Sequence, residues 1–571
     1  MTSNFVNQLS EHLAVLYPDH GPASELAERS LQAIGLDTEA EPPSVVGPTW
    51  SEGDVALITY GDSVLAPPAR PLEALRDFVD EQLGHIVSMV HVLPFFPFSS
   101  DDGFSVIDFA EVREDLGGWD DIAAIGRDHR VMADLIVNHA SASSSWFQQF
   151  LADELPGRDY FVTVDPDTDL TGVVRPRTSP LLRTVETASG QRHVWATFSH
   201  DQLDLDFANP AVLMEFLGFI NQYLGEGVRA FRLDAVGYLW KEIGTSSIHL
   251  PQTHRVVKLI RLLLEAREPD ALLITETNVP HAENVSYFGD AASGDEAHLV
   301  YNFTMPPLVL QALLSGQSAH LKAWIDGLEP LRPGTSFFNF LASHDGIGLR
   351  PTEGILSSDE IDDMVAAVRR AGGLVSMFTG PDGAEHPYEL NISLFEAMRL
   401  NHRGVVDGLQ IDRFVAAHAL MLAFVGLPAF YIHSLLASPN DLVGVAESGA
   451  ARSINRARVD RSTIDAVIER PGSDQDQVLR RVAELVSIRT GSSAFHPEAS
   501  QSLIESPDSL VGIRRTGSDG DVVDVYINIT AYPVSVSLPG QWHDLLSDDG
   551  SATNDGQLML GPYGSGWIRQ L

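Results

Sequence analysis

Four short segments, the first and last more than two hundred residues apart, each end in polar side chains able to do acid–base and nucleophilic chemistry. They are Asp134-Leu-Ile-Val-Asn-His139, Gly227-Val-Arg-Ala-Phe-Arg-Leu-Asp234, Leu273-Ile-Thr-Glu276 and Leu341-Ala-Ser-His-Asp345. Each apolar run reads as a buried strand, with its polar cluster at or just past the C-terminal end. In a barrel of parallel strands those ends share one face. Asp234, Glu276 and Asp345 can therefore converge although they are far apart in the chain. Three carboxylates beside His139, His344 and Arg232 suit cleavage of a glycosidic bond, which needs at least a pair of them.

The local spacing assigns parts. Arg232 and Asp234 lie two apart on one strand and so point to the same face. A guanidinium beside a carboxylate favours its ionised form, as an attacking group requires. Glu276 ends the apolar run Leu272-Leu-Ile-Thr, and a carboxyl in a dry site near other carboxylates has a raised pKa, which suits a proton donor. Asp345, beside His344, is placed to hold two sugar hydroxyls. Taken singly, each segment also reads as an ion pair, a cap or a turn. The order and strand-end placement of all four select the catalytic reading.

Strand-like runs alternating with helical ones signal a parallel sheet. The runs are Val55–Tyr60, Ile86–Leu93, Val131–Val137, Val228–Leu233, Leu272–Thr275, Leu299–Phe303, Phe337–Ala342 and Pro428–Ile432. Eight strands close a (β/α)8, or TIM, barrel. The expected barrel is built from residues 51–140, 210–345 and 402–494, behind an N-terminal helical extension over 1–50 that ends in the Pro-rich link at Glu41. Two connections are too long for one helix and its loops, a sign of functional segments. They predict inserted subdomains over 141–209, after strand three, and 346–401, after strand seven. Short alternating strands beyond residue 495 predict a C-terminal β-sandwich domain over 495–571.

The formal charge is -41, from 78 acidic and 37 basic residues. That argues against nucleic acid and anionic membranes as partners. Lys241, Lys258 and Lys322 are the only lysines. Arginine supplies the rest of the positive charge, and it grips carboxylates and phosphates in a two-pronged way. There is no cysteine, so no disulfide or thiolate metal site. Residues 1–21 carry no signal-peptide pattern, and no apolar run reaches membrane length, so a cytoplasmic enzyme is expected. No dinucleotide or phosphate-loop fingerprint is present, so no cofactor is expected.

The order Asp-x-x-x-x-His, Arg-x-Asp, Glu, His-Asp on successive strands resembles the α-amylase superfamily from about residue 52 onward. The resemblance implies Asp234 as nucleophile, Glu276 as acid/base and Asp345 as transition-state stabiliser, working with retention. Asp234 and Glu276 would then lie about 5–5.5 Å apart. Further segments are similar to the sucrose phosphorylase subfamily: Leu57-Ile-Thr-Tyr-Gly-Asp62, His91-Val-Leu-Pro-Phe-Phe96, Asp101-Asp-Gly-Phe104, Arg175-Pro-Arg177, Leu233-Asp-Ala-Val-Gly-Tyr238 and Ile454-Asn-Arg456. By that likeness Asp101 and Arg456 bind the glucosyl unit, Phe104, Phe198 and Tyr238 wall its pocket, and His139, His344 and Arg232 support it. Arg177 and Tyr388 would bind inorganic phosphate, a task suited to a rigid fork and a hydroxyl.

The acceptor side is read from the two long loops. The chain resembles the longer members of the subfamily, the glucosylglycerate and sucrose 6′-phosphate phosphorylases. Relatives specific for glycerate carry a lysine just before Pro381. This chain reads Ser376-Met-Phe-Thr-Gly380, with His386 ahead of Tyr388 and Glu389 in place of an amide. Arg175, His386 and Arg192 or His193 are then placed to receive an anionic acceptor. The expected activity is transfer of a glucosyl unit from sucrose 6′-phosphate to inorganic phosphate, with glucosylglycerate or sucrose as the alternative donor. A hydrolase on the same barrel and a catalytically dead binding protein are the competing readings. The intact carboxylates argue against the second. Asn138 matches a calcium-ligating position of some α-amylases, but the subfamily implies no metal.

Overall fold

All eight apolar runs form strands that pair in parallel and close into a barrel. In the computed structural model, which describes residues 4–43, 50–175, 179–379, 384–401, 403–547 and 556–570, they are β1 (Ala56–Thr59), β2 (Met89–Val92), β3 (Arg130–Leu135), β4 (Val228–Leu233), β5 (Leu272–Thr275), β6 (Leu299–Tyr301), β7 (Ser336–Asn339) and β8 (Leu427–Tyr431). Each pairs with its chain neighbours, and β8 returns to β1. β1, β2, β5, β6, β7 and β8 are buried at every position. That follows from a sheet covered on both faces, where apolar runs need not alternate with polar residues. Register matters for the site: Asp134 of β3 and Ile274 of β5 both stand level with Arg232 of β4.

Helices cover the barrel outside. The one entering β4, Pro210–Gly225, begins with Asn209 accepting from the Ala211 N–H and with proline in its first turn, a combination that starts a helix cleanly. The predicted N-terminal extension is a helical pair, Asn4–Leu16 and Ala23–Ala33, packed together and against Pro210–Gly225 and Pro251–Arg267. Among the described residues, no helix is long and apolar enough to cross a membrane.

Both long connections fold as small units over the C-terminal ends of the strands. Between β3 and β4, His139–Ser141 pairs antiparallel with Gln202–Asp204, and Leu182–Thr187 forms a hairpin with Gly190–Trp195. Between β7 and β8, Ser358–Arg370 forms a helix whose Ser357 and Glu360 cap each other, and Ile347–Gly348 ahead of it joins Leu374–Thr379 and Glu385–Asn391 behind it in a three-stranded sheet. The C-terminal region holds a five-stranded sheet running from Ser500–Ile504 to Trp542–Asp544 and a separate pair, Val534–Ser537 with Gln557–Leu560.

Candidate active site

A line of charge runs across the mouth of the barrel from β2 to β5. His91 Nε2 lies 2.7 Å from Asp134 Oδ2. Arg232 Nη1 donates to Asp134 Oδ1 and, at 2.9 Å, to Asp234 Oδ1. Arg232 Nη2 stands 3.9 Å from Glu276 Oε2. His91, Asp134, Arg232 and Asp234 are buried and Glu276 nearly so, so a charge left unpaired here is costly. Burial pushes the Asp134 carboxyl up, but Arg232 and His91 outweigh it and hold it down at about 2.

Asp234 and Glu276 behave differently from Asp134. Burial raises both pKa values, each against the pull of Arg232. Repulsion from Glu276 adds to the rise at Asp234. Two carboxyls that repel each other lose their protons in two steps, so one proton is held to higher pH than the other. Geometry assigns it to Glu276. Asp234 takes a direct charge-assisted bond from Arg232, whereas Glu276 lies farther from that cation and accepts only the Ala235 N–H, at 2.9 Å. An ionised Asp234 beside a protonated Glu276 is the pairing that retaining glycoside chemistry needs.

Asp345 lies well past the end of β7, on a loop tied down from residues more than a hundred positions away. Asn455 Nδ2 donates to the Ser343 and Asp345 carbonyls at 3.0 Å, and Arg456 Nε donates to the His344 carbonyl at 2.8 Å. Burial acts to raise the Asp345 pKa, but Arg452, Arg456 and Arg232 drive it well below the carboxylate range. Asp345 is therefore a permanent anion, which hydrogen-bonds hydroxyls without exchanging protons.

The pocket above these groups is lined by Asp101, Phe104, His139, Phe198, Asp234, Tyr238, Glu276, His344, Asp345 and Tyr388, all singled out from sequence. Phe104 stacks on His344 at 4.9 Å and 6°. Phe198 meets Tyr238 edge-on and tilts over His139. Flat apolar faces next to fixed carboxylates suit a sugar ring, which has C–H faces and hydroxyl edges. Asp101 and Asp102 both take positive φ, 57° and 48°. Asparagine and aspartate tolerate that conformation best among residues with side chains.

Other expected residues stand elsewhere. Arg456 pairs with Asp102 behind His344 and Asp345, facing a separate polar cleft shared with Tyr60 and Arg113. Arg175 Nη2 donates to Ser179 Oγ and the Thr197 carbonyl, outside the pocket lining. His386 lies outside the lining as well, and Arg192 and His193 sit on the hairpin of the first insert. Glu389 is 1% exposed and faces Arg452 rather than the pocket. Arg177 lies outside the described residues.

Two cations escaped the sequence reading. Arg452 lines the pocket, gives Nε and Nη2 to Glu389 at 3.0 and 2.6 Å, and places Nη1 2.6 Å from Asp345 Oδ1. Lys241 is buried under the pocket. Its Nζ lies 2.6 Å from Asn138 Oδ1, 2.6 Å from the Tyr238 carbonyl and 2.7 Å from Asp204 Oδ2. One ammonium thus joins β3, the first insert and the β4 loop. It occupies the Asn138 oxygen, and among the described residues no cluster of His, Asp and Glu is placed to hold a metal. Replacing Lys241 with Met should cost about 3 kcal/mol, because Asp204 stays buried without its counter-charge. A urea titration of the variant reads this directly.

The chain carries an α-amylase catalytic domain, matched over residues 81–345. Over 574 aligned residues it is 43% identical to the glucosylglycerate phosphorylase of Allomeiothermus silvanus, covering 100% of this chain and 99% of that one. It belongs to the α-amylase family, among its disaccharide phosphorylases. A glucosylglycerate phosphorylase of Escherichia coli is 40% identical over 91% of this chain and 92% of its own. The sucrose 6(F)-phosphate phosphorylase of Thermoanaerobacterium thermosaccharolyticum is 27% identical over 78% of this chain and 89% of its own. The crystal structure of a sucrose 6F-phosphate phosphorylase from Thermoanaerobacter thermosaccharolyticum has the same fold, with a TM-score of 0.74 at 24% identity, covering 89% of this chain and 98% of that chain. The whole-chain likeness thus lies with the relatives named for glucosylglycerate. It favours the alternative donor of the sequence reading over the one read from Ser376–Glu389, of which residues 380–383 are outside the described residues.

Proposed function

We propose that this phosphorylase transfers a glucosyl unit from 2-O-α-glucosylglycerate to inorganic phosphate, giving α-glucose 1-phosphate and glycerate. The end-to-end likeness to relatives of that name carries the reading of the acceptor. Asp234 attacks the anomeric carbon while Glu276 protonates the departing glycerate oxygen. Asp345 holds ring hydroxyls and strengthens its grip as the ring flattens. Phosphate then attacks the glucosyl-Asp234 ester from the vacated side, and two inversions give net retention. Phosphate arrives already ionised, so this second step makes little demand on Glu276 as a base. Asp101, Phe104, His139, Phe198, Tyr238 and His344 frame the glucosyl unit.

The test is phosphate-dependent release of α-glucose 1-phosphate from glucosylglycerate, sucrose 6′-phosphate and sucrose, side by side. Glucosylglycerate should be fastest. A faster sucrose 6′-phosphate would reverse the acceptor reading. Free glucose at a rate indifferent to phosphate would make the protein a hydrolase.

A further inference from the structure

Of the charged side chains lining the pocket among the described residues, four are carboxylic acids and one is an arginine. The acids are Asp101, Asp234, Glu276 and Asp345, and the arginine is Arg452. The lining histidines add no positive charge. Burial lowers the pKa of His139, His249 and His344, that of His249 to about 4. A carboxylate or phosphate entering this pocket moves toward two or three fixed anions. It needs a cation inside the lining to offset them.

Arg452 has the geometry for that task. A guanidinium carries five N–H donors. Two meet Glu389, through Nε and Nη2, and at most one meets Asp345, through Nη1. At least two remain on the terminal nitrogens, and no acceptor for them stands among the described residues. The side chain keeps 22% of its surface exposed, whereas Glu389 keeps 1%. Glu389 is thereby a support, pinning the rear edge of the guanidinium. Gly346 makes room for it, since a Cβ there would lie 2.6 Å from Glu389 Cγ.

Resting on the phosphorylase reading above, we infer that Arg452 receives the negative charge of the acceptor. Its two remaining N–H groups bind the glycerate carboxylate, and Glu389 is a positioning residue that aims them. The same arginine neutralises part of Asp345, so its two tasks must be separated by experiment.

Pairs of acceptors, one bearing an anionic group and one without it, do this. Glucosyl transfer from glucose 1-phosphate is measured to D-glycerate and to glycerol, and to fructose 6-phosphate and to fructose. Inhibition constants replace kcat/KM where the neutral partner turns over too slowly. Arg452→Gln should lower the anion-to-neutral ratio about 30- to 100-fold, the worth of a charge-assisted hydrogen-bonded pair. Arg452→Lys should restore part of it, because charge returns without the fork. Equal losses on the charged and the neutral acceptor would overturn the inference and leave Arg452 as a prop for Asp345. Arg452→Gln strands Glu389 without a partner. The double variant Arg452→Gln/Glu389→Gln removes that buried charge and should show the same altered ratio in a folded protein. If the wild-type enzyme prefers fructose 6-phosphate to D-glycerate, the acceptor proposed above falls. The ratio measured on the fructose pair still decides the part of Arg452.

Discussion

Replacing Asp234 with Ala should abolish phosphorolysis, with a loss on the order of 10^4- to 10^6-fold, the range seen when a covalent nucleophile is removed. The reason is geometric as well as chemical. Asp234 follows β4 directly, and its carboxylate is aimed by an Arg232 nitrogen at 2.9 Å. No other carboxylate can substitute: Asp134 is buried beneath it between Arg232 and His91, and Asp345 is fixed by Arg452. The variant leaves an empty space next to the anomeric carbon. With α-glucosyl fluoride as donor, added azide should fill that space and form β-glucosyl azide, inverted because the first of the two displacements now stands alone. The product is identified by NMR of the anomeric proton. An α-azide, or residual phosphorolysis within about a hundredfold of wild type, would remove Asp234 from the nucleophile's role. The fold should survive, because Arg232 keeps its bond to Asp134.

Much of this site was legible because it sits on strands. β4 and β5 are short apolar runs ending in Asp234 and Glu276, and nothing but their own sequence decides which side chains leave the barrel top. The line from His91 to Asp134 to Arg232 was only half visible, since it depends on register between strands forty or more residues apart. The strand predicted to run through Ala342 ends at Asn339. His344 and Asp345 therefore belong to a loop whose position depends on Asn455 and Arg456. A periodicity argument cannot find contacts of that sequence separation.

The acceptor side was least legible for the same reason. The charge proposed for it comes from residues 345, 389 and 452, three segments brought together only by the second insert and the loop after β8. Arginine clustering in so acidic a chain pointed to Arg175 and Arg177. Arg452, four residues before Arg456, carried the same signal. Lys241 was marked by rarity alone, as one of three lysines. Its burial against Asn138, Asp204 and Tyr238 explains why an ammonium is kept where arginine is otherwise preferred: a compact point charge fits among three oxygens.

Glu276→Gln should separate acid catalysis from the rest of the reaction. Glutamine keeps the shape and can still accept the Ala235 N–H through its carbonyl oxygen, but it has no proton for the departing glycerate oxygen. Phosphorolysis of glucosylglycerate should fall about 10^2- to 10^4-fold, the usual worth of a general acid. With α-glucosyl fluoride and phosphate the loss should shrink to within about tenfold, since fluoride leaves and phosphate attacks with little need of proton transfer. The pH profile gives an independent reading. Burial raises the Glu276 pKa against the pull of Arg232. In wild type, activity therefore falls as pH rises through that raised value and the proton is lost. On the acid side it falls as Asp234 is protonated next to an already neutral Glu276. Glutamine mimics the protonated form at every pH. Measured on glucosylglycerate, the residual activity of the variant should lose the alkaline limb and keep the acid limb where it was. An alkaline limb that persists in Glu276→Gln would assign the proton of the pair, and with it the role of general acid, to a group other than Glu276.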